Sequence, residues 1–193
     1  MPVCANWRHG VEFAHRNGRG GPPLSTPCTD GQFDRVVSQL VVNFMADPEA
    51  GVREMRRVVR PGGTVAACVW DYQGEMTLLR RLWDAAVALD PAARRLDEGV
   101  VMRHCDPGSL GALWAGARFG ELRPAVLTPS VRYRDFDDLW RSLLGGAGPA
   151  SAYASALDAP HQAALRHELH RHLGAPSGPF VITARAWAVA GTR

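Results

Sequence analysis

Four histidines, His161, His167, His170 and His172, crowd one stretch of the chain. His167 and His170 lie three residues apart, a spacing that puts two imidazoles on one helix face and could hold a divalent metal. No cysteine or carboxylate stands at a spacing that completes the set, and Glu168 points elsewhere, so the stretch reads as a solvated helix face. Asp135, Asp137 and Asp138 could coordinate a hard cation, but they precede Leu139 and Trp140, where a cap and first-turn acids belong. Cys4, His9, His15 and Cys28 are too irregularly spaced for zinc. Two glycine-rich stretches raise phosphate or dinucleotide binding. Gly18-Arg19-Gly20-Gly21 follows no apolar strand and opens no helix, whereas Gly145-Gly146-Ala147-Gly148 follows a helix and has no lysine. Open α/β sheets bind ligands beyond the carboxyl ends of their strands. That leaves Ser38-Gln39-Leu40 and Trp70-Asp71.

Those residues close two strands. Phe33 to Val42 is rich in β-branched residues and nearly continuous in apolar character, as suits a strand buried on both faces. Asp47-Pro48-Glu49 opens a helix, with Asp47 as cap and Pro48 in the first turn. Val52, Met55 and Val59 form its buried face, while Glu49 and Arg53 sit four apart on a side that faces water. Pro61-Gly62-Gly63 is expected to stop the helix. Thr64 to Trp70 is a second apolar strand. Two buried strands joined by one helix make a parallel βαβ unit.

Further along, Met76, Leu79, Leu82, Trp83, Ala86 and Val87 mark an amphipathic helix ending near Asp90-Pro91. Asp106-Pro107 caps a short helix with Leu110, Leu113, Trp114 and Ala117 inside. Leu122 to Tyr133 can be an antiparallel strand, with Pro124 and Pro129 as edge or bulge features. Phe136, Leu139, Trp140 and Leu143 form a helix that the glycine run breaks. Two more helices cover about 149–157 and 160–173, and Pro179 to Ala190 alternates as a last strand.

The run from Phe33 to Asp71, FDRVVSQLVVNFMADPEAGVREMRRVVRPGGTVAACVWD, resembles the fourth and fifth strands of class I S-adenosylmethionine-dependent methyltransferases of the type 11 group. The residues that carry the likeness are F-D-x-V, the helix opening D-P, and R-P-G-G before an apolar strand. It extends from about Asp30 to the C-terminus. It implies an α/β, Rossmann-like fold, represented by its C-terminal part: two parallel strands, an antiparallel C-terminal pair and covering helices. Residues 1–29 are then an irregular segment without the glycine-rich cofactor loop. Residues 30–193 are a partial methyltransferase domain, with acceptor-side helices over about 134–174. One expectation is that the chain is truncated, or read in another frame, upstream.

The resemblance implies S-adenosyl-L-methionine as cofactor, held at Ser38, Gln39 and Leu40, and a small-molecule acceptor. Asn43, Phe44, Trp70, Asp71, Trp140 and Tyr153 stand on the acceptor side, and Asn43 is not a competent general base. No strict catalytic signature is expected, because the sulfonium carries the activated methyl group. Without the first three strands the Phe33–Val42 strand becomes a bare apolar edge. The alternative function is therefore an inactive methyltransferase-like protein that pairs through that edge, with a homo-oligomer as one form.

Totals bound the rest. The chain has 193 residues, 46% apolar and 21% charged, with a formal net charge of +3. All basic residues are arginine, and they alternate with acids, which does not favour nucleic acid. The six tryptophans are spread over core positions and form no stacking platform. No run is long enough for a membrane helix, residues 1–20 do not read as a signal peptide, and four widely spaced cysteines suit free thiols. The expected location is the cytoplasm.

Overall fold

A computed structural model describes residues 26–193. They form two compact units. Of these, one combines residues 26–70 with Arg103–Leu127 and Ala186–Arg193; the other combines Asp71–Met102 with Thr128–Arg185.

The first unit is a four-stranded sheet in the order β1-β2-β6-β3. β1 (Phe33–Gln39) runs parallel to β2 (Val59–Trp70), and the helix α1 (Pro48–Val58) joins them. β6 (Ala186–Thr192) is antiparallel to β2, and β3 (Gly120–Leu127) is antiparallel to β6. The parallel pair and the antiparallel C-terminal pair are those expected from the sequence. The Asp47 side chain accepts from the Ala50 amide at 2.8 Å, and Pro48 occupies the first turn of α1, as the Asp-Pro pair predicts. α4 (Pro107–Gly116) is capped by Asp106 in the same way.

Apolar side chains of α1 and α4 meet one face of the sheet. Val36, Val52, Met55, Val65, Val69 and Trp114 are fully buried there. Each such side chain contributes about 1.5–3 kcal/mol by leaving water. The Trp114 indole N–H donates to the Val65 carbonyl at 3.2 Å, which satisfies its one polar atom in the core.

Three expectations are corrected. β1 is buried on one face only: Val36 and Ser38 point into the core, whereas Arg35, Val37 and Gln39 are exposed. The strand also ends at Gln39, because Leu40 turns into the left-handed region at φ 58° and Val42–Phe44 form a 3-10 turn. α1 stops at Val58, before the proline, and Val59 already belongs to β2. Arg60–Gly63 then bulges out of the ladder, since Phe33 pairs with Val59 but Arg35 with Thr64. Gly62 sits at φ 75°, and a Cβ on Gly63 would lie 2.7 Å from the Asp34 carbonyl oxygen, so both glycines serve the bulge.

The second unit packs helices around a small ribbon. Its elements are α2 (Thr77–Leu89), a 3-10 stretch (Pro91–Leu96), α3 (Glu98–Val101), α5 (Phe136–Leu144), α6 (Pro149–Ala156) and α7 (Ala159–His172). The ribbon pairs β4 (Ser130–Tyr133) antiparallel to β5 (Phe180–Thr183). Leu82, Trp83, Leu139, Leu165 and Leu169 form the core. The two late strands read as continuous in sequence are therefore each broken, at Thr128-Pro129 and at Ala184-Arg185. Proline supplies no N–H at the first break. At the second, the Arg185 backbone is drawn to Asp71 and Glu75 instead, its carbonyl accepting from the Asp71 amide and its amide donating to the Glu75 carbonyl.

Candidate functional site

The β1–β2 register brings part of the expected site together. Gln39 pairs with Cys68, and the Leu40 amide donates to the Cys68 carbonyl at 2.9 Å, so Ser38–Leu40 and Trp70 share the carboxyl end of the parallel pair. Alternation along β1 decides the rest. Ser38 faces inward at 2% exposure, and its hydroxyl meets no hydrogen-bond partner among the described residues. Gln39 faces outward into solvent. Asn43, in the 3-10 turn, is buried, and Phe44 is half-buried. Cys68, next to this end on β2, has its thiol pKa pushed up by burial.

Asp71, Trp140 and Tyr153 lie in the second unit. Asp71 Oδ2 accepts from Arg185 Nε at 2.8 Å and Nη2 at 2.6 Å and from the Glu75 amide at 2.9 Å, while Oδ1 accepts from the Gly74 amide at 3.1 Å. Trp140 is buried in the helical core. The Tyr153 ring packs on Trp83 with centroids 5.2 Å apart, and burial raises its phenol.

A buried hydroxyl with no protein partner is unusual, because leaving a polar group unmade costs about 1–3 kcal/mol. Ser38 thus stands at the carboxyl end of β1 as a buried hydroxyl that the described residues leave without a partner. A nucleoside cofactor also needs a carboxylate for its ribose hydroxyls. Asp71 does not supply it, because its oxygens are engaged by Arg185 and two backbone amides. The carboxyl end of β1 therefore offers a nucleoside cofactor the Ser38 hydroxyl and the Gln39–Leu40 backbone, but not the Asp71 carboxylate.

The other candidates have ordinary partners. Asp135 caps α5 through the Asp138 amide at 2.7 Å. His170 stands edge-on to Phe136 at 4.6 Å, with Nε2 3.1 Å from the Pro176 carbonyl. Glu168 pairs with Arg171 and His172, and Arg171 holds its carboxyl below the usual range. Among the described residues no group of three or more His, Cys, Asp or Glu could hold a metal ion, and no helix is long and apolar enough to cross a membrane. Cys4, His9, His15 and the Gly18–Gly21 stretch lie outside the described residues.

Sequence reasoning missed the buried Glu98 and the half-buried His104. Glu98, at 2% exposure, accepts from the Trp83 indole and, at 3.1 Å, from the Ala150 amide. Burial raises its carboxyl above the usual range. Nothing in its local sequence separates it from a solvated first-turn acid. His104 takes a left-handed φ of 57°, and both its ring nitrogens are buried without a hydrogen-bond partner among the described residues.

Residues 8–67 match the family model described as a methyltransferase domain, which bears out the methyltransferase resemblance read at Phe33–Asp71 and begins upstream of it. A stretch of 48 residues is 42% identical to an uncharacterized protein of Mycobacterium tuberculosis, covering 25% of this chain and 18% of that protein. A stretch of 70 residues is 36% identical to a demethylmenaquinone methyltransferase of Mycolicibacterium gilvum, covering 34% of this chain and 31% of that protein. The matches thus span less than a third of each relative. Among solved structures, the YcgJ protein of Bacillus subtilis superposes with a TM-score of 0.47 at 14% identity, over 90% of this chain and 69% of that one. A Haemonchus contortus phosphoethanolamine N-methyltransferase 2 in complex with S-adenosyl-L-methionine gives 0.42 at 10% identity, over 86% and 34%.

Proposed function

We propose that this chain, whose residues 8–67 match a methyltransferase-domain model, takes part in methyl transfer from S-adenosylmethionine to a small molecule. The observation that carries the reading is the buried Ser38 hydroxyl at the carboxyl end of β1, which has no partner among the described residues. When bound, the cofactor supplies an activated methyl group on a sulfonium, so the protein is asked for alignment and exclusion of water rather than for acid–base chemistry. Ser38 Oγ binds a polar atom of the cofactor, and the Gln39–Leu40 backbone, turned by the left-handed Leu40, lies along it. Asn43, Phe44 and Trp70 border the acceptor side, where an amide and two aromatic rings orient a substrate without taking its proton. The contacts of Asp71, Trp140 and Tyr153 support a role in holding the second unit together. A small-molecule acceptor is in keeping with the M. gilvum relative, whose name gives demethylmenaquinone.

Calorimetric titration of the folded chain with S-adenosylmethionine and with its demethylated product tests this. Micromolar binding that Ser38→Ala weakens by about tenfold, roughly 1.4 kcal/mol, is the expected result. A folded chain that binds neither compound overturns it.

A second reading rests on the place of β1 at the sheet edge among the described residues, with Val37 56% exposed. An open apolar edge recruits another strand, so a second copy of the chain pairs there. Sedimentation velocity checks it: Val37→Lys shifts a dimer to monomer, and a wild-type chain that is monomeric at all concentrations rules the pairing out.

A further inference from the structure

At the opposite end of the parallel pair, where Phe33 meets Val59, five arginines converge. Arg53, Arg56 and Arg57 of α1, Arg118 beyond α4, and Arg193 beyond β6 line a concavity of about 500 Å³. We propose that it binds a small phosphate-bearing molecule.

The arginines are not equivalent. Arg57 is neutralised by Glu54 at 2.7 Å and by Asp30. Arg53, Arg56, Arg118 and Arg193 make no ion pair among the described residues. Two of these are oriented by neutral acceptors, which hold a guanidinium in place and leave its charge intact. Arg56 Nε donates to the Arg118 carbonyl at 3.4 Å, and Arg193 Nη1 donates to the carbonyls of Arg57 at 2.9 Å and Val59 at 2.6 Å.

The carboxyl end of a helix attracts cations, and that accounts for Arg56 and Arg57 in the last turn of α1. It does not account for Arg118 and Arg193, which separate elements bring to the same wall. Like charges gathered in this way repel unless an anion joins them. Guanidinium forks match phosphate oxygens in bidentate geometry, and several forks around one concavity favour a multiply charged group over a carboxylate. An adjoining cavity of about 300 Å³ shares Arg53, Gly116 and Ala117 and adds Leu113 beside the polar Glu49 and His104, which gives the rest of the ligand a place beside α4.

Titration calorimetry of the full chain with inorganic pyrophosphate, at low and at physiological salt, tests the site. One-to-one binding that weakens with salt is expected, because the contacts are ionic and solvent-facing. The double substitution Arg53→Gln and Arg118→Gln reduces affinity about tenfold or more, and Arg95→Gln, which removes the same kind of charge outside the concavity, leaves it unchanged. Ribose 5-phosphate and AMP, run in parallel, distinguish a sugar phosphate from a nucleotide as the source of the group. Absence of binding by folded protein overturns the proposal. So does an Arg95→Gln chain that loses as much affinity as the double variant, since the attraction is then diffuse.

Discussion

Arg185 grips Asp71 across 114 residues of sequence, with Nε and Nη2 both on the same carboxylate oxygen at 2.8 and 2.6 Å. Asp71 is 5% exposed, and Arg185 also reaches Glu75 at 2.7 Å. The pair ties the segment after β2 to the break between β5 and β6. Removing the cation would strand a buried carboxylate, so Arg185→Ala is expected to cost about 3 kcal/mol. Urea denaturation checks this, and a loss below about 0.5 kcal/mol would show the pair to be idle.

Glu98 makes stability depend on pH above the usual carboxylate range. Its folded pKa lies above the ordinary 4.5, chiefly because of burial. The contribution is therefore fully present below pH 4.5 and declines as pH rises through that value toward the folded pKa. Glu98→Gln removes this decline but leaves one of two donors, the Trp83 indole or the Ala150 amide, with the wrong partner. Thermal melts of both proteins from pH 4 to 8 are expected to converge as pH rises, with a wild-type advantage of about 1–2 kcal/mol at the acid end. Parallel curves would count against the buried acid as their cause.

Glu54 acts in the opposite direction. Its hydrogen bonds with Arg57 outweigh burial and hold its carboxyl at about 2, against an ordinary 4.5. This stability is present above pH 4.5 and is lost as pH falls toward 2. Arg57 is 33% exposed, so solvent screening reduces the contribution to about 2 kcal/mol at neutral pH. Acid titration followed by circular dichroism tests it, since Glu54→Gln should lower stability at pH 7 and flatten the limb between pH 4.5 and 2.

Ser38 links a stability measurement to the proposed cofactor site. With its hydroxyl buried and without a partner among the described residues, Ser38→Ala should stabilise the ligand-free chain by about 1 kcal/mol while weakening cofactor binding. Melting temperature and titration on the same samples separate the two effects. A Ser38→Ala chain that melts lower would mean that the hydroxyl already has a partner.

Local signals in this sequence were legible because local physics carries them. Asp-Pro at 47–48 and 106–107, and Asp135, announce helix starts, and each carboxylate accepts from the amide three residues on. Phe136, Leu139, Trp140 and Leu143 recur at helical spacing and all four are buried. The parallel pair followed from two apolar runs joined by one helix. Pro61-Gly62-Gly63 reads as a helix stop but is a bulge within β2, because Pro-Gly-Gly breaks either element.

By itself, then, the sequence determined where helices begin, which strands run parallel, and the methyltransferase resemblance at Phe33–Asp71. Only the tertiary structure decided which face of β1 is covered. It decided that both late strands break, that Asp71 answers to Arg185, and that Glu98 is buried rather than solvated. It also placed Arg118 and Arg193 on one wall with α1. The physical reason is common to these cases. Caps and periodicity act over three or four residues, whereas burial and charge pairing act between segments about a hundred residues apart, such as Asp71 and Arg185, which no local pattern connects.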